Sequence, residues 1–61
     1  MHLTLSSAPT LYSTERAAAI AKALQDSDPE WTYTPIYYGN GYASVQLTDE
    51  DGEFIGYWKE Q

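Results

Sequence analysis

Apolar and polar positions alternate with a period of two through much of the chain's second half. In Trp31-Thr32-Tyr33-Thr34-Pro35-Ile36-Tyr37 and in Ala43-Ser44-Val45-Gln46-Leu47-Thr48 the odd positions carry apolar bulk, and the even ones, Ile36 excepted, carry hydroxyls or an amide. Such alternation is the mark of a strand with one buried face. A third run, Phe54-Ile55-Gly56-Tyr57-Trp58, is apolar almost throughout, so its facing depends on how the turns set the register. Eight of the nine aromatic residues fall between Trp31 and Trp58, and the stretch reads as an aromatic-rich antiparallel meander.

Turn chemistry supplies that register. Asp49-Glu50-Asp51-Gly52 has an acid first and glycine fourth, the signature of a type I turn followed by a bulge with glycine at positive φ, which pairs Glu53 with Asp49. Treated alike, Gly39-Asn40-Gly41 pairs Tyr38 with Tyr42; a two-residue Asn-Gly turn would shift the pairing by one. The bulged register is the cleaner one. It gathers Trp31, Tyr33, Pro35, Tyr37, Ala43, Val45, Leu47, Ile55 and Tyr57 on one face, the expected core, and Thr32, Thr34, Ser44, Gln46 and Thr48 on the other. The same register sends Ile36, Tyr38, Tyr42, Phe54 and Trp58 to that second face, beside Gly56, where a residue without a side chain admits the close approach of another chain.

Before the meander, the period changes. Ala17, Ile20, Ala21 and Leu24 stand at i, i+3, i+4 and i+7, one apolar helical stripe, with Glu15, Arg16, Lys22 and Gln25 largely off it. Ser13 is the expected N-cap, Glu15 complements the helix dipole in the first turn, and the alanines favour helix. The helix is expected to run to about Asp26. Ser27-Asp28-Pro29 ends it, because proline disfavours helical backbone at Asp28, whose side chain is placed to cap a short turn through Glu30. At the N-terminus Leu3 and Leu5 alternate with His2, Thr4 and Ser6, which admits a short additional strand. The sum is one α+β domain over residues 1–61: two layers, one helix on an antiparallel sheet of three strands or, with the N-terminal one, four, in β-α-β-β-β order.

Composition narrows the function classes. With 61 residues and no cysteine, the chain buries a small core, lacks disulfides and thiolate metal sites, and must gain stability from bulky aromatics or a partner subunit. Nine acids against three bases give a net charge of −6, which repels phosphates and anionic lipids and speaks against direct binding to nucleic acid or membrane. The N-terminus has no basic region or long apolar run, and no segment reaches the length of a membrane span. A cytoplasmic setting is expected.

Candidate chemistry is sparse. His2 is the sole histidine and reads as a surface residue, so a hydrolytic triad lacks its base. Asp49, Glu50, Asp51 and Glu53 suggest calcium, but setting Gly52 at the sixth position of an EF-hand loop puts Leu47 first and Trp58 twelfth, where carboxylates are required. Gly39-Asn40-Gly41 precedes no helix and is no phosphate loop. Tyr37, Tyr38 and Tyr42 form a stacking platform without the basic groove that single-stranded nucleic acid needs. No catalytic residue, metal ligand or cofactor site is assigned, and the chain is expected not to be an enzyme.

The segments Asp28-Pro29-Glu30-Trp31-Thr32-Tyr33 and Asp49-Glu50-Asp51-Gly52-Glu53-Phe54-Ile55-Gly56-Tyr57-Trp58 resemble those of small proteins found in bacteria and their phages. The resemblance spans the last two-thirds of the chain, implies an intracellular setting and a helix-then-hairpins order, and brings no activity. The leading expectation is therefore a non-enzymatic interaction module that self-associates as a homodimer or docks on a partner protein through Ile36, Tyr38, Tyr42, Phe54 and Trp58. The alternatives are an acidic inhibitor or nucleic-acid mimic seated in a basic groove of a host enzyme, and a small enzyme-accessory subunit.

Overall fold

The structure is a computed structural model that describes residues 4–60. His2 and Leu3 lie outside the described residues. Among the described residues five strands and one helix follow in the order β1 (Thr4–Ser6), β2 (Tyr12–Ser13), α1 (Thr14–Ser27), β3 (Thr32–Tyr37), β4 (Tyr42–Thr48) and β5 (Phe54–Lys59). The chain is an α+β protein, its helix packed on an antiparallel sheet.

β4 organises the sheet. Along one edge it pairs with the whole of β3, from Thr32 opposite Thr48 to Tyr37 opposite Ala43. Two strands share its other edge: β5 takes Gln46–Thr48, and β2 takes Tyr42 and Ala43. β1 then pairs with the outer side of β5, Thr4 opposite Lys59 and Ser6 opposite Tyr57. The two-residue β2 escaped the sequence pattern, because neither periodicity nor turn chemistry marks a pairing so short. It leads directly into the helix cap, where the Ser13 hydroxyl accepts from the Arg16 N–H at 3.2 Å and the Thr14 N–H donates to the Gly41 carbonyl at 3.1 Å.

The helical stripe lands where its spacing put it. Ala17 and Ala21 are buried against Tyr12, Tyr33, Ala43, Val45 and Leu47, and half-buried Ile20, Leu24, Trp31, Ile55 and Trp58 surround that cluster. Alanines on the contact stripe let the helix lie close to the strands, where larger side chains would hold it off. The core is thin: its largest fully buried side chains among the described residues are Leu47 and Val45, and burying a Leu or Val contributes about 2 kcal/mol.

The junction from helix to sheet is closed by side chains. Gln25 Nε2 donates to the Trp31 carbonyl at 2.7 Å, and its Oε1 accepts from the Tyr33 N–H at 3.0 Å. Asp28 Oδ1 accepts from the Glu30 N–H at 3.2 Å and Oδ2 from the Tyr33 hydroxyl at 2.9 Å. Burial first, then the hydrogen bond to Asp28 and its negative charge, pushes the Tyr33 hydroxyl up to about 12.

Candidate interaction face

The two hairpin turns pair as their residues specify. Tyr38 N–H donates to the Tyr42 carbonyl at 3.2 Å, and Asp49 N–H to the Glu53 carbonyl at 2.9 Å. At the second turn Gly52 has φ +83°, and its N–H donates to the Asp49 carbonyl at 3.0 Å. The Asp49 carboxylate accepts from the N–H groups of Asp51 and Glu53, both at 2.9 Å. Two backbone donors therefore occupy the first acid of the run, as in an Asx-type turn.

Beyond that turn the structure departs from the expected register. Thr48 faces Phe54, but Leu47 faces Gly56 and Gln46 faces Tyr57, so Ile55 is an extra residue on β5. A bulge of one residue exchanges the faces of everything that follows it. Trp58, expected on the face away from the helix, turns instead to the core side. Its ring centroid lies 5.6 Å from that of Tyr12. The Arg16 guanidinium lies over the Tyr12 ring, 5.2 Å from its centre, and reaches Glu60 at 2.6 Å; the Tyr12 hydroxyl accepts from the Glu60 N–H at 3.0 Å.

Tyr57 is corrected in the opposite sense. Expected in the core, it stands opposite Gln46 on the far face and meets Phe54 edge to face at 5.2 Å. Gly56 moves as well. It is buried, and a β-carbon there would come within 3.2 Å of the Ser6 carbonyl oxygen and 3.6 Å of Leu5 Cβ. The chain that approaches this glycine closely is the protein's own β1. Tyr37, expected in the core, is 56 % exposed although it stands opposite buried Ala43, because it ends β3 at the edge of the sheet.

Four of the five expected contact residues keep their place. Even-numbered positions of β3 and β4 point away from the helix, since Tyr33, Ala43, Val45 and Leu47 point towards it. The far face thus holds Ile36, half-buried, Tyr38 at 43 % exposure and Tyr42 at 50 %, with Phe54 at 53 % beside Thr48. These residues form two groups, Ile36, Tyr38 and Tyr42 at one end of β4 and Phe54 with Tyr57 at the other. Between them Ser44 is wholly buried, and its hydroxyl shares a 2.7 Å hydrogen bond with that of Tyr38, whose ring reaches across from the neighbouring strand.

The free edge of β3 is blocked. Because Tyr38 exchanges bonds with β4, the alternation of an antiparallel ladder turns the backbone groups of Tyr33, Pro35 and Tyr37 outward. Gln25 takes the Tyr33 N–H, and Pro35 has no N–H to offer. An added strand would find these donors missing.

Among the described residues there is no pocket, and no group of three or more His, Cys, Asp or Glu side chains placed to hold a metal ion. Among the same residues no helix is long and apolar enough to cross a membrane. No family model matches the chain, nor does any curated protein or solved structure.

Proposed function

We propose that the protein is a non-enzymatic interaction module that binds another protein surface through the sheet face turned away from α1. The observation that carries this reading is the half-exposure of Tyr38, Tyr42 and Phe54 on a face that the helix leaves uncovered. Tyrosine and phenylalanine combine large apolar area with little side-chain entropy, which suits them to desolvation in a complex. With Trp58 on the core side, Tyr42 and Phe54 take over as anchors. The reading of the acids as a phosphate mimic has less support, because four of the nine crowd into one turn and Asp49 is engaged with its own backbone. A cytoplasmic setting in a bacterium or its phage, as the sequence resemblance implies, accords with a small acidic adaptor.

Solvent exposure of the rings tests the proposal. In isotope-labelled protein, the ring protons of Tyr42 and Phe54 should relax strongly with a paramagnetic cosolute in dilute solution. They should become shielded at high protein concentration or in clarified bacterial lysate, while the methyls of Ala18 and Ala19 on the exposed side of α1 do not change. Rings that are already shielded in the dilute monomer, or that stay open under every condition, would end the reading.

A further inference from the structure

We infer that the occupant of this face is a second copy of the chain, the two sheets packing face to face about a two-fold axis. This deepens the preceding proposal and rests on it. The choice of partner comes first from charge. None of the nine acids lies on a strand; all sit in α1, in the segment after it, in the turn of residues 49–53 or at Glu60. At the far-face positions of the strands the one charged side chain is Lys59, near the end of β5. A molecule of net charge −6 whose nine acidic side chains all stand outside its strands has few like charges on the strand positions of this face to oppose a second copy. A basic partner would find its complement on the other surfaces.

The sheet edges favour the same occupant. Gln25 and Pro35 remove the donors at two of the three outward positions on the free edge of β3, which disfavours strand addition there and leaves the face for association by way of that hairpin. Area sets how much of the face is used. The molecule measures 30 × 22 × 21 Å, so one side of it projects on the order of 500 to 600 Å², below the roughly 800 Å² that each partner buries in a standard interface, and a dimer must use the face nearly whole. Sheets packing about 10 Å apart would also cover the exposed rings of Tyr38, Tyr42 and Phe54, adding apolar burial to a protein whose own core is thin.

The two-fold axis is specified by the ends of the face. An axis lying between the sheets and perpendicular to β4 sets the Tyr38 and Tyr42 end of one copy against the Phe54 and Tyr57 end of the other, as an isologous contact allows. It also holds the two acidic turns at opposite ends of the dimer, where their repulsion is weakest.

Sedimentation equilibrium of the full chain, from micromolar to millimolar and at low and high sodium chloride, tests this. A monomer–dimer equilibrium is expected, strengthened by salt, because screening relieves repulsion between two chains of like charge. The double variant Tyr42→Lys/Phe54→Lys should weaken the dimer by at least about 30-fold. Its two added positive charges ease the long-range repulsion, so the loss would belong to the face. Tyr42→Thr/Phe54→Thr, which retains strand preference, should do the same with an unchanged far-ultraviolet dichroism spectrum. A dimer that survives both pairs, or that salt dissociates, overturns the inference. A chain that stays monomeric throughout with Tyr42 and Phe54 open to the paramagnetic cosolute also overturns it and leaves the broader proposal standing. Monomeric chains with those rings shielded would remove both.

Discussion

The two hairpins share β4 and have three-residue loops, yet only one keeps its register. From Tyr38 opposite Tyr42 to Thr32 opposite Thr48, β3 and β4 pair without interruption. β5 begins in register at Glu53 and Phe54, then takes in Ile55 as an extra residue. The difference lies in what each strand must bury. Residues of β3 alternate, so the register that satisfies one satisfies nearly all. β5 is apolar at Phe54, Ile55, Tyr57 and Trp58, and straight pairing would have sent its largest side chain, Trp58, away from the core. The bulge brings Trp58 to Tyr12 and lets half-buried Ile55 stay against the core. A local turn thus specifies pairing next to itself, while the burial of a large ring decides pairing several residues on.

Both hairpins meet the core at one residue of β4. Leu47 is fully buried opposite Tyr33 on one side and Gly56 on the other. Leu47→Ala should cost about 3 kcal/mol, enough to leave so small a domain largely unfolded, as a denaturant titration would show; a midpoint near that of the parent would displace the core from this point.

Next in size is Trp58→Ala. Because Trp58 is half-buried against Tyr12, its truncation should destabilise the monomer by about 2 to 3 kcal/mol, and in a Trp31→Phe background its fluorescence should be blue-shifted even in dilute solution. Phe54→Thr, on the same strand before the bulge, should change monomer stability by about 0.5 kcal/mol or less. Equal costs for the two would mean that β5 has no bulge at Ile55.

A smaller effect separates the turn from the bulge. Gly52 has φ +83° and open space around the position of a β-carbon, so Gly52→Ala should cost about 1 kcal/mol through backbone strain alone. Thermal melts of the variant decide it, an unchanged midpoint being incompatible with the turn described.

The least disruptive probe belongs to β3. The Tyr33 hydroxyl, raised from 10.0 to about 12 in the fold, binds its proton more tightly when native than when unfolded. Its contribution to stability is therefore complete below pH about 10 and is lost as pH rises through about 12. Tyr33→Phe should remove that alkaline component and cost about 1 kcal/mol near neutrality, for the lost bond to Asp28. Stability measured across this range in parent and variant is the check; parallel curves would place the Tyr33 hydroxyl in an ordinary environment.

Local rules were legible in the chain itself. The stripe Ala17, Ile20, Ala21 and Leu24, the Ser13 cap, the stop at Asp28-Pro29 and the turn at Asp49–Gly52 depend on neighbours within a few residues, so the sequence determined them, and with them the α+β class; at Gly39-Asn40-Gly41 it left two registers open, and the structure takes the three-residue loop with both glycines at positive φ. Four far-face residues, Ile36, Tyr38, Tyr42 and Phe54, followed, because each lies within a few pairings of a turn. Only the tertiary structure decided the rest. Trp58 and Tyr57 exchanged faces at a bulge that no residue of β5 announces, since Ile55 has no composition that marks it as extra. Tyr12 found β4 as a two-residue strand because β5 leaves that edge open, and Gly56 proved to accommodate β1. In each case the choice lay between placements of equal local merit, and apolar burial by distant parts of the chain separated them.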